Sequence, residues 1–243
     1  MPDPKPTPSP NLQTEFNRWA ADGRGDEMER HHLPIFEPAL PYMDFKSGQH
    51  VLDLGCGSGW ATRVVARLVA KPEYQRIPPE RRRLQVIGVD ISDQMVRRAQ
   101  QLSNGLDNVS YAQCPAEKTF FSDNVFDRIF SIESLYYWPD QVAGLREVRR
   151  ILLPGGKLSI LINLYTDNYY SLRWAKELAV PVHTRSEAEY VEMLRDEGFN
   201  QVDARRIPDQ SPTPDTYSGK WFKNAEEMRD FKRIGALLLK AVK

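Results

Sequence analysis

The chain has 243 residues, 33 Lys and Arg balance 33 Asp and Glu, and 41% of the residues are hydrophobic. That length and composition support a full core without disulfide or metal staples and exclude wholesale disorder. A net charge of zero removes the long-range attraction that nucleic-acid and anionic-membrane binders carry.

The first ten residues hold five prolines and no apolar segment, so residues 1–10 are expected to be a disordered tail rather than a leader. No apolar run approaches the roughly 20 residues needed to span a bilayer. Cys56 and Cys114 are the two cysteines. Neither sits in a CxxC or Cys/His cluster, so no metal site is expected, and the expected setting is reducing and cytoplasmic.

Leu12, Phe16, Trp19 and Ala20 recur at helical spacing, and Gly23 and Gly25 follow, which predicts a helix over 12–21. Residues 26–42 mix charges, the pair His31–His32 and three prolines, and predict only short or broken helix. From Gln49 short apolar runs alternate with helical ones: HVLDL, TRVVARLVA, LQVIGVD, DQMVRRAQQL, VSYAQC and DRIFSI. Such alternation predicts a parallel sheet covered on both faces. DQVAGLREVRRIL then reads as a helix capped by Asp140, LPGG as a turn and KLSILINL as a fifth strand. Toward the C-terminus, 186–197 predicts a helix closed by Gly198, with VDARRI and GALLLKAV as the last strands.

In an open α/β sheet, ligands bind outside the carboxyl ends of the strands. The first strand end is VLDLGCGSGW. There Gly55, Cys56, Gly57, Ser58 and Gly59 form a turn into a helix, and small residues let backbone approach a ligand closely. The second strand ends in Asp90, a carboxylate suited to accept from both hydroxyls of a ribose. Trp60 stands where a G-x-G-x-x-G dinucleotide fingerprint needs Gly or Ala, which disfavours NAD, and no GxxxxGK[ST] phosphate loop occurs at this turn.

Together VLDLGCGSG, VIGVDIS, FSDNVFDRIFSIESLYYWPD and LPGGKL resemble class I S-adenosylmethionine-dependent methyltransferases, over roughly 49–164. The resemblance implies an α/β fold, a three-layer Rossmann-like seven-stranded sheet, mostly parallel with an antiparallel last strand. It implies one methyltransferase domain over 11–243, made of an N-terminal lid at 11–45, a cofactor-binding core at 46–164 and substrate-side excursions at 165–185 and 208–234. S-adenosyl-L-methionine would be the cofactor. Gly55, Gly57 and Gly59 would line its methionine and ribose parts with Cys56 and Ser58, Asp53 would support the turn, and Asp90 would hold the ribose. Ile91 and Met95 would pack on adenine. Many relatives place an Asp after the third strand. This chain has CPAEKTFF there, which shifts adenine recognition to the Ala116 backbone and Glu117. Ser131, in the fourth strand, completes the cofactor set.

Methyl transfer from a sulfonium asks mainly for alignment and exclusion of water, with a base where the acceptor must lose a proton. The fourth strand end therefore supplies the catalytic candidates Glu133, Tyr136 and Tyr137, and the lid supplies His31 as a further base. Adjacent side chains diverge, so one histidine of the pair at most is expected in the site. Tyr165, Tyr169, Tyr170 and Trp174 in one excursion, and Tyr217, Trp221 and Phe222 in the other, suggest an aromatic or apolar small-molecule acceptor. Nucleic-acid bases are disfavoured, because SIES lacks the (D/N/S)PP(Y/F) sequence of base-flipping relatives. Three alternatives stand beside small-molecule methylation: a non-catalytic cofactor-binding module, a methyltransferase for protein or RNA, and an aminopropyl transferase. The last would need an acidic pair after the fourth strand, where only Glu133 stands. The inserted basic segment KPEYQRIPPERRR, 71–83, reads as a solvated loop.

Overall fold

A computed structural model describes residues 11–70 and 85–243. The proline-rich tail and the basic 71–83 segment lie outside the described residues. Seven strands form one sheet in the order β3-β2-β1-β4-β5-β7-β6: β1 Val51–Leu54, β2 Val86–Asp90, β3 Val109–Gln113, β4 Phe126–Ile132, β5 Leu152–Ile162, β6 Asn200–Ile207 and β7 Ala236–Val242. β7 runs antiparallel between β5 and β6, with Ile160 opposite Leu239 and Ala204 opposite Leu239; the other neighbouring pairs are parallel. The three-layer, mostly parallel sheet expected from the sequence is the one observed.

The helices are α1 Leu12–Ala21, α2 Arg24–Met43, α3 Trp60–Val69, α4 Asp93–Leu102, α5 Gln141–Ile151, α6 Leu172–Ala175, α7 Glu187–Asp196 and α8 Ala225–Ile234. Alternation along the strands decides which layer each helix joins. Leu158, Ile160 and Ile162 of β5 pack with Leu145 of α5 and Tyr190 of α7. On the opposite face Leu161 and Phe130 pack with Phe36 of α2 and Val65 of α3.

Three local readings of the sequence are corrected. Residues 26–42 are not broken: α2 runs unbroken through Pro34, Pro38 and Pro41. These prolines follow i, i+4, i+7 spacing and so share one face, where the amides they lack fall together. The neighbouring stripe Ile35, Phe36, Ala39 and Met43 is buried against the sheet, and that burial holds the helix together. LPGG is not a turn ahead of β5 but an irregularity inside it: Leu152 pairs with Phe126, and pairing resumes at Lys157 with Arg128. Finally, the 208–234 excursion contains α8, capped by Asn224, whose side chain accepts from Glu227 N.

The sequence direction of the sheet reverses between β1 and β4, and the crevice above that reversal is where open α/β sheets bind ligands. No helix among the described residues is long and apolar enough to cross a membrane.

Candidate active site

A cleft of about 790 Å³ opens above the carboxyl ends of β1, β2 and β4, large enough for a cofactor together with a small acceptor. Its floor is the turn after β1. Gly55, Gly57 and Gly59 all have positive φ, 81°, 52° and 76°. A Cβ on Gly59 would lie 2.6 Å from the Tyr111 hydroxyl oxygen, so this glycine answers to packing beneath the turn. A Cβ on Gly57 would meet nothing within 4 Å, which leaves open space beside the backbone here.

Asp90 closes the floor. One carboxylate oxygen accepts from Gly57 N at 2.9 Å and the other from Ser92 N at 2.8 Å. Each oxygen keeps a lone pair for another donor, so the carboxylate fixes the glycine turn and still presents acceptors to the cleft. Burial raises its pKa against the two amide bonds. Asp53 lies deeper, accepts from Thr62 Oγ1 at 2.6 Å, and is pushed up to about 7 by burial, with a further rise from the Asp90 charge.

At the end of β4 Glu133 adopts a left-handed conformation, φ 54°, uncommon for a residue with a side chain. Its carboxylate is buried, accepting from Asn163 N at 2.6 Å and from the Tyr136 hydroxyl at 2.8 Å. Burial pushes its pKa up to about 7, against those hydrogen bonds. Burial and the Glu133 charge also raise Tyr136 and Tyr137 well above the ordinary phenol range, so both keep their protons.

α1 and α2 roof this floor. Phe16 and Trp19 meet the Tyr137 ring edge-on, at 5.0 and 6.2 Å. The Trp19 indole N–H donates to buried Glu15 at 2.7 Å. Asn17 Oδ1 accepts from Ser92 Oγ at 2.6 Å, and Asn17 Nδ2 donates to Asp93 at 2.9 Å. Ser58 Oγ donates to Gly25 O at 2.9 Å. The roof thus rests directly on the glycine turn and on the residue two beyond Asp90. Both His31 and His32 line the cleft, which corrects the expectation of one at most. Burial and the neighbouring His31 lower His32 to about 4, so His32 is neutral at physiological pH and available as a hydrogen-bonding group rather than a cation.

The far wall comes from both excursions. Trp174 meets Phe231 and Trp221 at 5.1 and 6.3 Å, and Phe222 meets Phe231 at 5.2 Å. A bidentate pair, Arg173 to Glu227 at 2.7 and 3.2 Å, ties one excursion to the other. Lys232 Nζ, buried, donates to Ser211 O, Ser211 Oγ and Pro212 O at 2.8–3.0 Å and holds the strap ahead of α8.

The cleft therefore brings together Gly55, Cys56, Gly57, Ser58, Asp90 and Ile91. Met95, Ala116, Glu117, Glu133, Tyr136 and Tyr137 line it as well. Asp53, Gly59 and Ser131 do not: the first two brace the turn from behind, and Ser131 Oγ is buried without a hydrogen-bond partner among the described residues. Glu117 accepts from Asp140 N at 3.3 Å, at the start of α5. Among the described residues no group of three or more His, Cys, Asp or Glu side chains is placed to hold a metal ion. Sequence reasoning missed Asn163, Gly25 and Asn17, which act through a backbone amide, a backbone carbonyl and a contact 75 residues distant; none carries a local motif.

A family profile described as a methyltransferase domain matches residues 52–160. The chain superposes with a TM-score of 0.84 and 30% identity on a solved chain from a complex of the Haloferax volcanii Trm112 methyltransferase activator with a candidate methyltransferase, covering 96% of this chain and 99% of that one. It is 29% identical over 169 residues to the O-methyltransferase resE of Aspergillus sclerotiorum and 31% identical over 175 residues to phosphoethanolamine N-methyltransferase 3 of Arabidopsis thaliana. Those matches cover 67% and 69% of this chain but 59% and 32% of the relatives' own length. With the glycine turn, the acidic end of β2 and a full-length match on one scaffold, the chain belongs to the class I S-adenosylmethionine-dependent methyltransferases.

Proposed function

We propose that this protein transfers a methyl group from S-adenosyl-L-methionine to a small molecule with an apolar or aromatic body. One observation carries the reading: a single cleft joins the Gly55–Gly57 turn and Asp90 to an aromatic wall built by both excursions. The cofactor half fits the group. Asp90 has spare acceptor capacity for a ribose, its orientation fixed by two backbone amides, while Ile91 and Met95 offer an apolar bed for a base. Bound S-adenosylmethionine supplies an already activated methyl carbon, so the protein's task is alignment and exclusion of water.

The residues divide that task. α1 shields the floor from solvent through Phe16 and Trp19. Tyr136 donates to Glu133 and fixes the carboxylate's orientation. Glu133, with a pKa near neutrality, suits proton acceptance from a hydroxyl or ammonium acceptor. Tyr137 and the Trp174–Phe231 cluster position the acceptor's apolar body. The named relatives that methylate oxygen and nitrogen acceptors support a small-molecule acceptor without selecting the atom.

Incubation with methyl-labelled S-adenosylmethionine and a fractionated metabolite extract tests this. Label should enter an organic-soluble fraction, and Glu133→Gln should reduce that transfer by roughly 10²-fold or more. Binding without label transfer in any fraction would favour the non-catalytic module instead. The 30% identity to the Haloferax volcanii chain also supports a Trm112-type activator as a partner. Co-expression with such an activator should raise soluble yield or turnover, and no change in either would remove it.

A further inference from the structure

Asp90 and Glu133 are both buried and both line the cleft. Asp90 is committed to the glycine turn and to a ribose, whereas Glu133 stands at the end of β4 beside Tyr136 and Tyr137 and has no task on the cofactor side. It is 8% exposed, and the two donors that reach it are uncharged: the Asn163 amide at one oxygen and the Tyr136 hydroxyl at the other. Among the described residues no lysine, arginine or histidine forms an ion pair with it. Neutral donors orient a carboxylate but leave its charge without a counter-charge, which is costly in a buried place. Each oxygen also keeps a lone pair for a further donor.

The rings beside it favour a cation as well. Tyr136 and Tyr137 lie 4.5 Å apart at 53°, and Tyr137 meets Phe16 and Trp19. The faces of such rings attract positive charge. The cleft already shows this, with Lys220 4.2 Å from the centre of the Trp221 ring and Arg24 5.1 Å from that of Trp19. The lysines of the cleft are spent elsewhere: Lys220 lies 3.7 Å from Glu177, and Lys232 binds Ser211 and Pro212 and lies 3.7 Å from Asp209.

We propose that the methyl acceptor is an amine that enters as its ammonium form, paired with Glu133 and seated against the Tyr136 and Tyr137 rings. This inference rests on the methyl transfer proposed above and narrows its acceptor atom to nitrogen. An alcohol or phenol brings a hydrogen bond but no charge and leaves the buried carboxylate uncompensated, whereas an ammonium supplies both. One ammonium N–H proton passes to the Glu133 carboxylate. The nitrogen lone pair so freed forms the bond to the methyl carbon, and the carbon–sulfur bond breaks with its electron pair on sulfur. The products are an N-methylammonium, S-adenosylhomocysteine and protonated Glu133, whose proton leaves to solvent before the next turnover. Burial raises Glu133 to about 7 and lowers the pKa of an ammonium held beside it, which brings the first proton transfer within reach.

Probe pairs that share a body separate charge from shape: tryptamine against tryptophol, and phenethylamine against phenethyl alcohol. Calorimetric titration into the full chain preloaded with S-adenosylhomocysteine should show at least one amine binding about tenfold or more tighter than its alcohol. Glu133→Gln keeps the shape and an oxygen acceptor, and should weaken that amine about tenfold and its alcohol by less than about twofold. With methyl-labelled S-adenosylmethionine the unaltered chain should label the amine and not the alcohol. The comparison within the unaltered protein holds whether or not the variant folds. Equal or tighter binding of the alcohols, binding of no member of either pair, or an amine preference that survives in Glu133→Gln would overturn the inference while leaving the methyltransferase reading standing. Failure of S-adenosylhomocysteine to bind during preloading would overturn that reading itself.

Discussion

Glu133 is buried, has no cationic partner among the described residues and is held by two donors, so replacing it with Gln isolates the energetic cost of its charge. In the folded protein burial raises its pKa from 4.5 to about 7, while in the unfolded chain it titrates near the ordinary value. Between these values the folded state binds the extra proton, so the contribution of Glu133 to stability falls as pH rises through this window. The full difference is roughly 3 kcal/mol, most of it expressed between pH 5 and 8. Gln does not titrate and removes the slope, whereas Asp53, also raised to about 7, is common to both proteins and cancels in the comparison. Urea unfolding of both proteins at pH 5, 6, 7 and 8 measures this directly. The stability of Glu133→Gln relative to the unaltered chain should rise by about 2–3 kcal/mol across the series. A difference flat with pH to within about 0.5 kcal/mol would mean that Glu133 titrates as an ordinary carboxylate and would remove the basis for its proposed proton-accepting role.

Two further predictions concern the roof and the floor. Asn17→Ala removes the three hydrogen bonds that seat α1 on Ser92, Asp93 and Gln94, and should raise the dissociation rate of S-adenosylhomocysteine by about tenfold in stopped-flow tryptophan fluorescence; an unchanged rate would show that the roof is not held there. Gly59→Ala combines a φ of 76° with a Cβ position 2.6–2.8 Å from three Tyr111 ring and hydroxyl atoms. It should cost about 2 kcal/mol or more in denaturant unfolding, whereas a neutral result would show that Tyr111 moves aside freely.

The parallel core was readable because each strand and helix there carries its own signal. Ser92 and Asp140 cap their helices by accepting from Met95 N and Ala143 N, and the apolar runs of β1, β2 and β4 match strands covered on both sides. α2 was not readable, because local proline chemistry argues against a helix and the opposing term, burial of Ile35, Phe36, Ala39 and Met43 on a sheet still distant in sequence, is tertiary. The α8 helix did carry a signal: Asn224 before two glutamates, Lys232 and Arg233 in the last turn, and Gly235 beyond. The aromatic character of that stretch drew attention from its caps. For the site, strand-end motifs located the floor, since they belong to single segments. The hydrogen bonds that hold Glu133 in place and seat the roof depend on Asn163 and Asn17 reaching across the fold. Asp53, Gly59 and Ser131 illustrate the converse: proximity in sequence to the cofactor motifs places them in the supporting layer rather than on the cleft surface.

The account rests on Asp90 presenting its carboxylate to a cofactor in the cleft above β1 and β2. Calorimetric titration of S-adenosylmethionine into the unaltered protein and into Asp90→Ala, with unfolding curves to confirm that both are folded, tests this most directly. One-to-one binding by the unaltered chain and at least about thirtyfold weaker binding by the variant are expected from the loss of charge-assisted hydrogen bonds. Equal affinity in both proteins, or no binding by the unaltered chain, would contradict it.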